Sequence, residues 1–251
     1  MQYGEQILRV APKLKQLGIK HIAADAAYSN YSIVGCVLEA GLHQVGRLRI
    51  DANLKWLYQG IQGKRGRPKK FDGKVVLARD LDERFEYEGR FEGEADLFSA
   101  QIWSVNLKRI IKVVVLRQMQ SDKQANVILF STDVNLDALT LVCYYKARFQ
   151  IEFVFRDAKQ FTGLTDCQAC SKEAIHTQIN ASLTALNLMK LEDSRVQGSG
   201  AKNVISIASW KRRKHNQSFM KIIFNKLGIS PTCEKTRSVY QAFSDYGAIA
   251  A

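Results

Sequence analysis

Four residues between positions 145 and 159 carry the clearest chemical signal in this sequence: Tyr145, Arg148, Glu152 and Lys159, within LVCYYKARFQIEFVFRDAK. From Asp133 to about Gln160 the apolar spacing predicts a helix. On one helix, with Tyr145 at zero, Arg148 falls near about −60°, Glu152 near −20° and Lys159 near −40°. Ala147, Ile151, Val154 and Ala158 fall on the opposite side and would face a core. The charged stripe suits phosphodiester chemistry. A carboxylate holds a hard divalent cation through oxygen. Arginine clamps a phosphate with two parallel donors, lysine adds a point charge, and a tyrosine hydroxyl hydrogen-bonds to the nucleic-acid backbone. A solvated helix face would explain the charges alone, but not their separation from the apolar stripe.

Two-metal phosphoryl transfer needs carboxylates from different segments. Asp25, at the end of the short apolar run IKHIAAD, stands where an α/β sheet would offer a second one, beyond the carboxyl end of a strand. Taken alone, a strand-end aspartate is ordinarily a turn cap. The elements that would position it follow from local pattern. Ile7, Leu8, Val10 and Leu14 recur at helical spacing, and Gly18 is a stop. Asn30 is a cap for a second helix closed by Gly41, and HQVGRLRI reads as the next strand. Strand, helix, strand is the pattern of a parallel βαβ unit.

Residues 47–75 are rich in lysine and arginine, and their centre, QGKRGRPKKFDGK, reads as an exposed loop. Lys64, Arg65, Arg67, Lys69 and Lys70 could there contact phosphates, against the plainer reading of a solvated basic loop. Residues 77–131 read as β-rich, expected as antiparallel strands not continuous with the parallel core. The acidic run RDLDERFEYEGRFEGEAD reads as a solvated connection. Residues 172–193 form an amphipathic helix, QGSGAKN reads as a linker, and the tail with KRRKH carries only a weak pattern.

Bulk properties narrow the partner. The 251 residues suffice for one large domain or two modest ones, and the net charge of +13 calls for a polyanion, ordinarily a nucleic acid. No apolar run approaches the roughly 20 residues of a membrane span, and the start lacks a signal-peptide core. Five cysteines without framework spacing suit reduced thiols in a cytoplasm. Cys167 and Cys170 form a CxxC pair lacking the second pair that zinc normally needs. His21, His43, His176 and His215 are scattered and make no ligand spacing.

Tyr145, Arg148, Glu152 and Lys159 fit Y-(2)-R-(3)-E-(6)-K, and on this motif the chain resembles DDE transposases of the insertion-sequence-four type. STDVNLDALTLVCYY before the motif and FRDAKQFTGLTDCQACSKEAIHTQINASLTALNL after it are similar to the family's flanks. IAADAAYSN resembles the segment carrying the family's second catalytic aspartate, and VGRLRIDANL with GKRGRPKKFDGKV resembles the stretch that follows. The likeness spans roughly residues 15–192. It implies an α/β fold, an RNase H-like core interrupted by a β-rich insertion, with C-terminal helices. It implies Asp25 and Glu152 as catalytic metal ligands for two magnesium ions, with manganese as a substitute. Tyr145, Arg148 and Lys159 would contact phosphates of double-stranded DNA, in a protein that dimerises on transposon ends. Phe149 stands where tryptophan is common in the family. The family's first catalytic aspartate has no counterpart: only Glu5 is acidic ahead of Asp25, so the expectation is a fragment lacking the N-terminal part of the core.

The expected organisation is residues 1–50 as the first part of the core, 51–132 as basic loop and insertion, 133–196 as the rest of the core, and 197–251 as linker and basic tail. Two rival readings are a non-catalytic DNA-binding remnant and an RNase H-like nuclease. Simple hydrolysis, however, does not call for Tyr, Arg and Lys in that register.

Overall fold

The computed structural model describes residues 2–63, 66–120, 123–197, 206–230 and 234–247. The chain divides into two compact units, Met1–Phe149 and Gln150–Ala251. The first is built on a mixed sheet; the second is helical.

In the first unit, helix α1 (Gln2–Gln16) stops where Gly18 takes a left-handed φ of 73°. Strand β1 (His21–Ala23) pairs in parallel with β2 (His43–Leu48), and α2 (Tyr31–Glu39) crosses between them. The Asn30 side chain caps α2 by accepting from the Ile33 amide at 3.0 Å. The predicted βαβ unit is therefore present. Strands β3 (Leu54–Leu57) and β4 (Phe71–Lys74) flank the basic loop as an antiparallel pair. Helix α3 (Leu77–Arg84) leads into four antiparallel strands: β5 (Glu86–Phe91), β6 (Ala95–Ser104), β7 (Arg109–Gln120) and β8 (Lys123–Ser131).

These strands do not form a separate layer. They join one eight-stranded sheet in the order β1-β2-β8-β7-β6-β3-β4, with β5 on part of the β6 edge. The join is β2 against β8, antiparallel, with Val45 opposite Ser131. The expectation of a discontinuous insertion is corrected, and so is its β-rich start, because residues 77–84 are helical. Alternation along β7 explains how one sheet serves two layers. Ile111, Val113 and Val115 pack on one face with Val34, Trp56, Leu81 and Phe130. Val114 and Leu116 pack on the other with Val45, Leu129 and helix α4 (Ala138–Ala147). The result is a mixed α/β fold consistent with the RNase H-like core that the resemblance implied.

The acidic run read as a solvated connection forms α3, β5 and the start of β6 instead, and most of its carboxylates are exposed while Asp80 is not. Asp80 lies in the first turn of α3 with its side chain 0% exposed. Trp56 Nε1 and the Val76 amide donate to Oδ2, both at 2.8 Å, and Arg79 Nε donates to Oδ1 at 2.8 Å. Burial pushes this carboxyl up, but the donors outweigh it and hold it below the usual range.

The second unit holds α5 (Gln150–Phe161), α6 (Lys172–Gln197), α7 (Ile207–Leu227) and α8 (Glu234–Ser244). Its small core joins Ala158, Leu186 and Ile207. The weakly patterned tail is thus two helices, α7 and α8. Most of the predicted linker lies outside the described residues. No described helix is long and apolar enough to cross a membrane.

Candidate nucleic-acid interface and strand-end carboxylate

Asp25 lies just beyond the carboxyl end of β1, and the turn that carries it is pressed onto β2. Gln44, fully buried, donates its side-chain amide to the Tyr28 carbonyl at 3.1 Å. A Cβ at Gly46 would come within 2.7 Å of the Phe130 ring and 2.9 Å of Ser29 Oγ, so the close approach needs glycine. Asp25 Oδ1 accepts from the Ala26 amide at 2.7 Å and caps the short 3-10 turn Ala26–Tyr28. Its Oδ2 lies 3.9 Å from Arg148 Nη1. The Asp25 side chain is 56% exposed and that of Arg148 19%.

Arg148 reaches this place because of α4. Asp137 caps the helix by accepting from the Thr140 amide at 2.9 Å. Ala138, Leu141 and Val142 fasten it to the sheet, with Tyr145 packed at the margin. Arg148 closes the helix at its C-terminal end, where a cation complements the helix dipole. Its guanidinium lies 5.6 Å from the Tyr145 ring centroid and 4.8 Å from that of Phe149.

The single helix predicted across the motif is corrected. Residues 148–149 form a turn between α4 and α5. The amides of Arg148 and Phe149 bond three residues back, to the carbonyls of Tyr145 and Lys146, both at 3.1 Å. This tightened end leaves Tyr145 and Arg148 in the first unit and Glu152 and Lys159 in the second. Glu152 and Lys159, both exposed, share one face of α5 about 10 Å apart along its axis. The expected apolar side holds only in part: Val154 and Ala158 enter the core, but Ile151 is 54% exposed.

The β3–β4 hairpin displays the predicted cations. Arg67, Lys69 and Lys70 are exposed, while Lys64 and Arg65 lie outside the described residues. Lys69 Nζ sits 3.0 Å from Asp72 Oδ1 and 4.6 Å from the Tyr58 ring centroid.

A family model described as a transposase DDE domain matches residues 1–188. The chain belongs to that family. A comparison with curated proteins gave no match. The matched span runs into α6 and covers Asp25 and all four motif residues. Transposases of this family act on DNA and normally use divalent metal ions. Among the described residues, no group of three or more His, Cys, Asp or Glu stands in metal-holding geometry. Asp25 has a guanidinium beside one oxygen and a backbone amide on the other. By itself this exposed carboxylate offers at most one ligand to a divalent ion and is not a two-ion site.

A second polar cluster escaped sequence reasoning. His21 Nε2 lies 3.1 Å from Asp133 Oδ2, and the His21 and His43 rings stack with centroids 5.5 Å apart. Burial raises the Asp133 carboxyl, but the Asn135 amide and both histidines bring it below its ordinary value. Sequence spacing could not reveal this, because residues 21, 43 and 133 meet only through the β1-β2-β8 order.

Proposed function

We propose that this chain acts on double-stranded DNA as a transposase of the insertion-sequence-four type, cutting transposon ends and joining them to a target. The family match over residues 1–188, which includes the strand-end Asp25 and the Tyr–Arg–Glu–Lys motif, carries this reading. Asp25 and Glu152 are the carboxylates assigned to divalent ions, magnesium with manganese as a substitute. Tyr145, Arg148 and Lys159 are assigned to phosphates at the transposon end, and Lys64, Arg65, Arg67, Lys69 and Lys70 to the duplex alongside. The assembly on DNA is a homodimer, working in the cytoplasm. A second reading, DNA binding without cleavage, is favoured by the guanidinium rather than an acid beside Asp25 Oδ2.

Affinity against salt for three variants tests the phosphate assignment. Arg148→Ala and Lys159→Ala should each weaken binding to transposon-end duplexes and lower the salt slope by about one counterion. Glu152→Ala removes a negative charge from the same helix as Lys159, so metal-free binding should hold or improve. Circular dichroism confirms that the variants fold. Unchanged affinity and slope in folded Arg148→Ala and Lys159→Ala proteins would remove the phosphate-reading role.

A further inference from the structure

The tip of the β3–β4 hairpin is built differently from a loop that merely carries charge. Its base is closed by a side chain: Gln62 donates to the Lys69 carbonyl at 2.8 Å and accepts from the Lys69 amide at 2.9 Å. Below that, the Tyr58 amide donates to the Lys70 carbonyl at 3.1 Å, and the Tyr58 hydroxyl donates to the Ile61 carbonyl at 3.0 Å. The Tyr58 ring folds back so closely that a Cβ at Gly60 would meet its hydroxyl at 2.6 Å. The base of the tip is therefore fixed before any ligand arrives, and the ordering cost on binding falls.

Beyond that base, Gly66, Arg67 and Pro68 stand exposed. Gly66 has a φ of 96°, and among the described residues no atom beyond its chain neighbours lies within 4 Å of the position of an added Cβ. The glycine thus serves the backbone turn and puts no side chain of its own over it. Such a peptide can approach the floor of a groove without a side chain in between. Pro68 restricts the chain that follows and offers no amide donor. Lys69 is committed to Asp72 and the Tyr58 ring, whereas Arg67 has no hydrogen bond or ion pair with the described residues. Ile61 is 96% exposed at the foot of the tip, an apolar side chain that the described protein surface leaves uncovered.

An exposed guanidinium with no partner among the described residues, beside a glycine peptide, matches the minor groove, about 6 Å wide, better than the major groove, about 12 Å wide. In A·T-rich DNA the minor groove narrows further and its negative potential deepens, which draws in arginine. Arginine suits that place better than lysine because its guanidinium is less strongly hydrated and loses less on leaving water. The G·C pair blocks the same floor with the guanine 2-amino group. Ile61 would then lie against the sugar wall of the groove. We propose that the β3–β4 tip seats Arg67 in the minor groove of A·T-rich duplex DNA. This rests on the reading of the chain as a DNA-binding transposase and names the DNA that one of its contacts prefers.

Three duplexes of equal length test it with the full chain at fixed, moderate salt, by fluorescence anisotropy. One carries an A·T tract, one a G·C tract, and one an inosine·cytosine tract. The inosine duplex keeps the major-groove face of G·C but lacks the amino group in the minor groove. The expected result is A·T and I·C bound alike, on the order of tenfold tighter than G·C. Arg67→Lys keeps the charge but loses the weakly hydrated guanidinium, so it should shrink the preference for A·T and I·C over G·C to within about twofold. Equal affinity for all three duplexes overturns the inference while DNA binding stands. So does I·C behaving as G·C, which would place the contact in the major groove. An unchanged preference in Arg67→Lys, judged folded by circular dichroism, overturns the role of Arg67. No binding to any duplex overturns the DNA reading itself, and this inference with it.

Discussion

Asp80 and Asp25 each receive a backbone amide at the start of a helical turn, in settings that could hardly differ more. Asp80 is sealed under Trp56 and takes three donors, so its charge is spent inside the fold. Asp25 takes one amide, faces water, and leaves its second oxygen near a guanidinium. The contrast separates a carboxylate that holds the sheet to α3 from one that the fold positions without using up. Sequence reasoning placed Asp25 at a strand end, as observed, and missed the burial of Asp80.

The largest effect should come at Asp80. Asp80→Ala strands two buried donors, the Trp56 indole and the Val76 amide, and should cost about 3 kcal/mol. A thermal melt should fall by roughly 6–12 °C at this chain length. A loss under about 1 kcal/mol would make the buried network dispensable.

Acid should sharpen the same contrast. The Asp80 carboxyl is lower in the folded chain than in the unfolded one. The unfolded chain therefore binds its proton first as pH falls. The stabilisation is present above the ordinary aspartate value and is lost as pH falls through the folded value. Urea midpoints between pH 5 and 2 should drop more steeply for the parent chain than for Asp80→Asn, which has no such group to protonate. Parallel pH profiles would show that Asp80 is not the linked group.

The smallest effect belongs to Asp25. Asparagine caps a helical turn about as well as aspartate, so Asp25→Asn should change stability by no more than about 0.5 kcal/mol. Arg148 then loses a nearby negative charge, and metal-free duplex binding should tighten slightly at low salt. A large drop in melting temperature would erase the distinction between the two aspartates.

The sequence discloses whatever is decided within a few residues. Gly18, Asn30 and Gly41 mark their helix ends because positive φ and side-chain capping are local demands. The βαβ start and the strand-end place of Asp25 follow from the same logic. Asp80 was misread because its main partner, Trp56, lies 24 residues away and meets it only when β3 and α3 pack. The hairpin strands escaped notice because Lys55, Lys69, Lys70 and Lys74 obscured the short apolar pattern. The turn at Arg148 and Phe149 has no glycine or proline to announce it; it is visible only as amides bonding three residues back. The union of β2 with β8 was equally hidden, since pairing across some 80 residues leaves no periodic trace.

That union gives the first unit a built-in ruler. The strand that ends before Asp25 and the strand that closes the basic hairpin are opposite margins of one hydrogen-bonded sheet, six strand steps apart. At about 4.8 Å per step this is about 29 Å, or roughly eight to nine base pairs of duplex at 3.4 Å each. On the proposed DNA-binding reading, with the duplex lying across the sheet, a contact at the hairpin margin would set, in nucleotides, how far along it the Asp25 margin comes to rest.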